Sequence, residues 1–304
     1  MVIISAMLKI VVALALGYGL FKAGVLTKES NAVMSRLIIL VTCPCLVFSS
    51  IAGMDGSHKA DVWILLVVGV AVYVVLTIVA YIVVKLLRVG KESFNTFLCM
   101  ITMGNVGFIG FPLAQSLYGE LGVFYIGVLN VHFTLYAYTI GITLLTGEKG
   151  KGNFKLKNIV NTGTVGAVLA LVLYLCDIRL PSIVLSPLSF IGQLTSPLAM
   201  IVLGATLASY SLKKMFGNWR YYVIAVVKLL LIPAAVFFTM RAIMGNNEMT
   251  ALITLYVGCP TATMIPMATL AYGGDWENAS SGTGLITLAG IICIPLQWLM
   301  ITCL

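Results

Sequence analysis

Charge is scarce in this chain. Only 9% of its 304 residues are charged and just 10 are acidic, whereas charged residues make up about 25% of an ordinary soluble domain. Long polar stretches are missing too. The longest loop, near residues 147–158, is about a dozen residues, which leaves no room for a soluble catalytic or nucleotide-binding domain. No Gly-x-x-x-x-Gly-Lys-Ser/Thr loop is present, so nothing supports ATP-driven work within the chain. Ser280-Ser281-Gly282-Thr283-Gly284 does not fit Gly-x-Ser-x-Gly, and the chain does not read as an enzyme. No acidic residue sits deep in an apolar segment, which argues against an intramembrane aspartyl protease and a simple carboxylate proton relay. The seven cysteines lack Cys-x-x-Cys spacing and there are only two histidines, His58 and His132. These are poor material for a metal site, and free cysteines pack as small hydrophobes.

Apolar sequence fills the space. The composition is 61% hydrophobic and the mean hydropathy is +1.08. At roughly 20 apolar residues per crossing, ten spans are expected, at about 2–22, 31–52, 62–87, 94–117, 121–146, 159–176, 182–211, 220–244, 249–273 and 278–303. The first lacks the basic start of a signal peptide and is read as a true span. Loops after odd-numbered spans hold Lys22, Lys28, Arg36, Lys85, Arg88, Lys91, Lys149, Lys151, Lys155, Lys157, Lys213, Lys214 and Arg220. The other side has Lys9, Lys59, Arg179 and Arg241. Positive residues gather in the cytoplasm, so both termini are expected outside a cell (inner) membrane. The net charge of +8 then follows from this bias and attraction to anionic lipid, without a nucleic-acid partner.

Two spans are interrupted. Thr102-Met-Gly-Asn-Val-Gly-Phe-Ile-Gly-Phe-Pro-Leu113 puts Gly104, Asn105, Gly107, Gly110 and Pro112 inside an apolar run, and Gly258-Cys-Pro260-Thr261-Ala-Thr-Met-Ile-Pro266 does the same later. Gly costs about 1 kcal/mol and Pro about 3 in a helix interior. In lipid, the backbone groups freed by a break must be buried in protein or line a cavity. Prolines repeat as well: Pro44 and Pro112 are 68 residues apart, Pro197 and Pro266 are 69 apart, and Pro44 to Pro197 is 153. Each half thus reads as five helices with a proline-bearing second and a broken fourth. Five is odd, so the second copy enters the membrane inverted, the pattern of secondary transporters. The expected organisation is a repeat at 1–147, a short cytoplasmic linker at 148–158 and an inverted repeat at 159–304, in an all-α polytopic membrane protein.

The residues Gly104-Asn105-x-Gly107-Phe108-x-Gly110-x-Pro112, with Pro260-x5-Pro266 and Ala271-Tyr272-Gly273, resemble the auxin efflux carrier family. That group includes plant PIN carriers and bacterial malate/malonate permeases. The resemblance covers the whole chain. It implies a fold similar to bile-acid/sodium symporters, in which broken helices 4 and 9 cross as an X and a transport bundle moves, elevator-fashion, against a scaffold. The long central loop of the plant members is absent, so phosphorylation control through it is not implied. The resemblance also allows a homodimer. The symporters' acidic sodium ligands have no evident counterpart, leaving sodium, proton or no coupling ion open. No cofactor is implied.

The expected substrate is a small organic anion, such as a mono- or dicarboxylate or auxin-like acid. Half-helix N-termini bring unpaired N–H groups and about half a positive charge each, an anion site without fixed cations. Gly104, Asn105, Gly107, Pro112, Pro260, Thr261 and Pro266 are the crossover candidates. Asn105 either donates its amide to ligand, offers its oxygen to a cation or protonated substrate, or caps a half-helix. The prolines shape the break, and the glycines serve either the break or close helix crossing. Asn130 and His132 sit two apart, so at most one faces a cavity directly; His132 is either a proton relay or a bonded core residue. Thr42 with Pro44, and Gln193 with Thr195, Ser196 and Pro197, are placed at the scaffold boundary, with backbone satisfaction beside a kink as the alternative. Lys228 is the one cation well inside a span, nine residues from Trp219 and so about 13 Å deep. Its reading stays three-way: a tether on carbonyls at a half-helix end, a counter-charge to substrate, or a lysine snorkelling to the surface. An anion channel or a ligand-binding receptor remains the other function class.

Overall fold

The structure, a computed structural model, describes residues 2–146, 162–272 and 274–303. The 148–158 linker and Gly273 lie outside them. Among the described residues there is no strand, only helices and one isolated β-bridge. The helices are α1 (Val2–Lys22), α2 (Lys28–Leu37), α3 (Cys43–Gly53), α4 (Lys59–Leu86), α5 (Lys91–Thr102), α6 (Phe111–Tyr136) and α7 (Ile142–Thr146). They continue with α8 (Thr162–Leu175), α9 (Ser182–Gln193), α10 (Thr195–Ser209), α11 (Leu212–Met215), α12 (Trp219–Val226), α13 (Ile232–Met244), α14 (Glu248–Val257), α15 (Met264–Tyr272) and α16 (Trp276–Cys303).

Among the described residues, six helical runs are long and apolar enough to cross a membrane: Lys28–Gly53, Gly56–Leu86, Val106–Leu145, Ser182–Ser209, Trp219–Met244 and Trp276–Cys303. On α4, Val67, Val70, Val74, Ile78 and Ile82 are 50% to 71% exposed and recur at helical spacing, an apolar stripe that water would not tolerate and lipid matches. The Val106–Leu145 run is not one rod. At Gly119 the backbone turns to φ 59°, ψ −138°, a conformation costly for any residue with a Cβ, and this is where the sequence separates two spans.

The prolines behave less simply than kink points. Wide π-helical turns at Ile38–Thr42, Val106–Gly110 and Val227–Leu231 each run into a helix whose second residue is proline: Pro44, Pro112 and Pro233. A proline lacks an N–H and its ring clashes with the carbonyl four residues back. An i→i+5 turn moves that carbonyl away, so the helix continues past the proline instead of breaking. Gly107 and Gly110 are therefore helical, and the true break is Met103–Asn105.

The chain forms two compact units, each drawn from both halves. The first comprises Met1–Leu66, Val106–Val131 and Val160–Ser209. Within it α1 lies along α10, and α3 packs on α8 and α9. The α1–α10 contact is a backbone-on-backbone approach: a Cβ on Gly17 would fall 1.9 Å from the Ile201 carbonyl oxygen, and one on Gly204 2.0 Å from that of Leu14. Small residues at a helix crossing replace the hydrophobic drive that lipid removes. A buried Asn31 Nδ2 donates to Thr206 Oγ1 at 2.9 Å. On the surface of this unit, His58 Nδ1 lies 2.8 Å from Asp61 Oδ2, and the Tyr125 hydroxyl donates to the same carboxylate at 2.5 Å.

The second unit comprises Val67–Asn105, His132–Ile159 and Tyr210–Leu304. Here α13 packs on α14, and α16 collects α5, α12, α14 and α15 around itself. The core of this unit holds Phe97, Met100, Ile101 and Phe237, all essentially sealed.

Candidate substrate site at a broken-helix crossover

Both breaks contribute to the second unit, and there they meet. Helix α5 ends at Thr102 and α14 at Val257, after which Met103–Asn105 and Gly258–Thr263 run without α-helix. Gly104 and Thr261 form an antiparallel bridge. The Asn105 N–H donates to the Pro260 carbonyl at 2.7 Å and the Ala262 N–H to the Met103 carbonyl at 2.9 Å. Each broken segment thus satisfies the other's backbone, which answers the cost of unpaired peptide groups in lipid.

The last turn of α5 can be followed carbonyl by carbonyl. Cys99 accepts from the Met103 N–H at 2.9 Å, Met100 from the Thr261 hydroxyl at 2.8 Å, and Ile101 from Lys228 Nζ at 2.6 Å. These are the acceptors that a helix end leaves orphaned. Lys228 comes from the Val227–Leu231 π turn and is 1% exposed. At the end of α14, Gln297 Nε2 donates to the Gly258 carbonyl at 3.2 Å and the Leu229 carbonyl at 2.7 Å. Gly258 is what lets the amide approach: a Cβ there would sit 2.3 Å from Gln297 Oε1.

Two buried side-chain atoms at the crossover have no hydrogen-bond partner: the acceptor Gln297 Oε1 and the donor Asn105 Nδ2. Asn105 is 3% exposed, and its side-chain Nδ2 has no hydrogen-bond partner in the structure. Leaving a buried amide donor unpaired costs about 1–3 kcal/mol, and such groups in native folds call for an explanation. It lies one residue from the bridge.

The sequence candidates divide between the two units. Gly104, Asn105, Pro260, Thr261 and Lys228 are brought together in the second, all buried. Pro266 is there too, buried in the first turn of α15, where a missing N–H is tolerated. His132 is also in the second unit, buried against Gly69 in a groove of about 480 Å³ lined by Tyr73, Thr77 and Tyr136. Gly107, Pro112 and Asn130 belong to the first unit, as do Thr42, Pro44, Gln193 and Pro197. Of these, Pro112 and Thr42 are buried while Gln193 and Pro197 are exposed, and Ser196 donates to Gln115 Oε1 at 2.6 Å. Sequence reading missed Gln297. A glutamine 2% exposed in an apolar helix was a signal in the same class as Lys228. Among the described residues no group of three His, Cys, Asp or Glu side chains could hold a metal.

Comparison with known proteins gives the family. A family model described as membrane transport protein matches residues 2–155 and 151–301. This chain belongs to that family. It is the auxin efflux carrier-like group that the crossover motif resembles. This membrane transport protein is also similar to two curated archaeal relatives. It is 23% identical over 312 residues to an uncharacterized transporter of Methanocaldococcus jannaschii, covering 99% of this chain and 100% of the relative. It is 25% identical over 296 residues to an uncharacterized transporter of Methanothermobacter thermautotrophicus, covering 96% of each. The chain is thus a multi-pass membrane protein of a transporter family, a family read without catalytic chemistry.

Proposed function

We propose that this protein is a secondary carrier for a small organic anion, a mono- or dicarboxylate or an auxin-like acid. The observation that carries the reading is Asn105: a buried amide donor with no protein partner, one residue from the bridge between two broken helices. A carboxylate oxygen supplies the missing acceptor, and a charged partner makes that hydrogen bond about twice as strong as a neutral one. The half-helix N-terminus opening at Met264 adds N–H donors and partial positive charge. Gly104, Pro260 and Thr261 hold the crossover in shape, Pro266 sits in the first turn of the second half-helix, and Gly107, Pro112, Asn130 and His132 are the remaining proposed substrate-binding residues.

Transport proceeds by alternating access, one bundle moving against the other. In this reading the chain has ten spans as two inverted repeats, 1–147 and 159–304, in the cell membrane with both termini outside. Two matched segments of near-equal length support the repeat. Thr42, Pro44, Gln193 and Pro197 flank the moving boundary. The partners are the substrate and the bilayer, with a homodimer as the assembly to test.

Uptake into proteoliposomes tests the carrier class directly. A carrier saturates with carboxylate concentration, because each cycle must bind and reorient. Flux that rises without saturation and appears as single-channel current would make this an anion pore. Binding without flux would make it a receptor.

A further inference from the structure

The crossover has negative ends as well as positive ones. Helices α5 and α14 both finish there, and each C-terminus carries about half a negative charge, together about one. Beside an anion site, such charge must be balanced, and a bound metal cation is one way to do so. This chain has another. Lys228 is 1% exposed, its Nζ donates to the Ile101 carbonyl at 2.6 Å in the last turn of α5, and no ion pair among the described residues involves it. A single ammonium cancels about the charge that the two helix ends supply. The α14 end receives neutral donors, the Gln297 amide, the Cys259 thiol and the Gly258 and Cys259 N–H groups, so the compensation is one fixed charge at one end.

We infer that Lys228 is a tethered counter-cation, a positioning residue that holds the crossover in the electrostatic state needed for a carboxylate, in place of a co-transported metal ion. Its geometry separates this role from snorkelling, since the ammonium is committed to an internal carbonyl and not to the membrane surface. It also separates it from a plain structural donor. The Ile101 carbonyl needs only a hydrogen bond, which a neutral group can give, whereas the helix ends need charge. Anion movement then requires no sodium, and charge crosses the membrane with the substrate. The transport consequence rests on the carrier reading above; the electrostatic consequence does not.

The test compares the full-length protein with Lys228→Gln, which keeps a donor and removes the charge, in sodium, lithium, ammonium and choline chloride. For the wild type, the melting temperature in detergent and carboxylate uptake in proteoliposomes are expected to be the same in all four salts. Lys228→Gln is expected to melt several degrees lower in choline, to recover in sodium, lithium or ammonium, and to bind carboxylate about tenfold or more weakly without them. A wild type that needs sodium overturns the inference. So does a Gln variant that behaves as wild type, and so does one whose defect no small cation repairs, since a merely structural lysine would behave that way. Should Lys228→Gln fail to fold, Lys228→Arg carries the test: it keeps the charge and must melt independently of the salt, and cation-dependent melting of the Arg variant overturns the inference. If the wild type takes up no carboxylate in any salt, the carrier reading fails while the melting series still decides Lys228.

Discussion

Replacing Asn105 by alanine separates a ligand-binding amide from a structural cap, because the two roles predict opposite signs. The crossover bond at this residue is made by its backbone N–H to the Pro260 carbonyl, and alanine retains it. What the substitution removes is the side-chain carboxamide, Oδ1 together with Nδ2, the latter a buried donor with no protein partner. Loss of an unpartnered buried donor relieves a penalty, so the melting temperature of Asn105→Ala is expected to hold or rise. Substrate loses a hydrogen bond to its charged carboxylate, worth about 1.5–3 kcal/mol, or about 10- to 150-fold in affinity at 1.4 kcal/mol per decade. Titration calorimetry on purified protein, with a thermal melt alongside, reads both quantities for whichever carboxylate binds. A helix cap gives the reverse, a fall in stability equivalent to about 1 kcal/mol with affinity unchanged. That pattern would refute the site reading.

Three further outcomes follow from the packing. Gln297→Leu strips donors from the Gly258 and Leu229 carbonyls and is expected to cost about 1–3 kcal/mol of stability, visible as a lower melting temperature whatever the substrate does. Gly204→Val drives a side chain into the Leu14 carbonyl, where even a Cβ would be 2.0 Å away; this overpacking is expected to cost about 1–3 kcal/mol or more and to show as lost monodisperse protein, whereas Gly19→Ala, with open space at its Cβ, is tolerated. In a cysteine-free background, single cysteines at positions 151 and 214 are expected to label only from the cytoplasm and those at 58 and 246 only from outside. Label at 151 from outside would invert the orientation.

Local chemistry made the breaks legible. Gly104-Asn105 and Gly258-Cys-Pro260 are sequences that no continuous apolar helix favours, and they are where α-helix stops. The extent of the first break was overread. Glycines 107 and 110 and Pro112 look like breakers one at a time, yet a single π turn absorbs the proline clash and keeps the chain helical, a cooperative solution that per-residue costs do not express. Lys228 was conspicuous by depth alone, but its partner, 127 residues away at Ile101, is fixed by packing that the sequence does not display. Gln297 was passed over for the same reason, its acceptors lying 39 and 68 residues off. The division into interleaved compact units is likewise a property of contacts between helices and not of any stretch of sequence.

Counterflow bears most directly on the central claim. Proteoliposomes preloaded with unlabelled carboxylate and diluted into a trace of the labelled compound should show a transient accumulation above equilibrium, because a carrier's outward-returning site exchanges one bound molecule for another. The account predicts that overshoot, abolished when the interior is empty. Labelled substrate that merely equilibrates, at the same rate with or without internal substrate, would contradict a carrier and leave a pore.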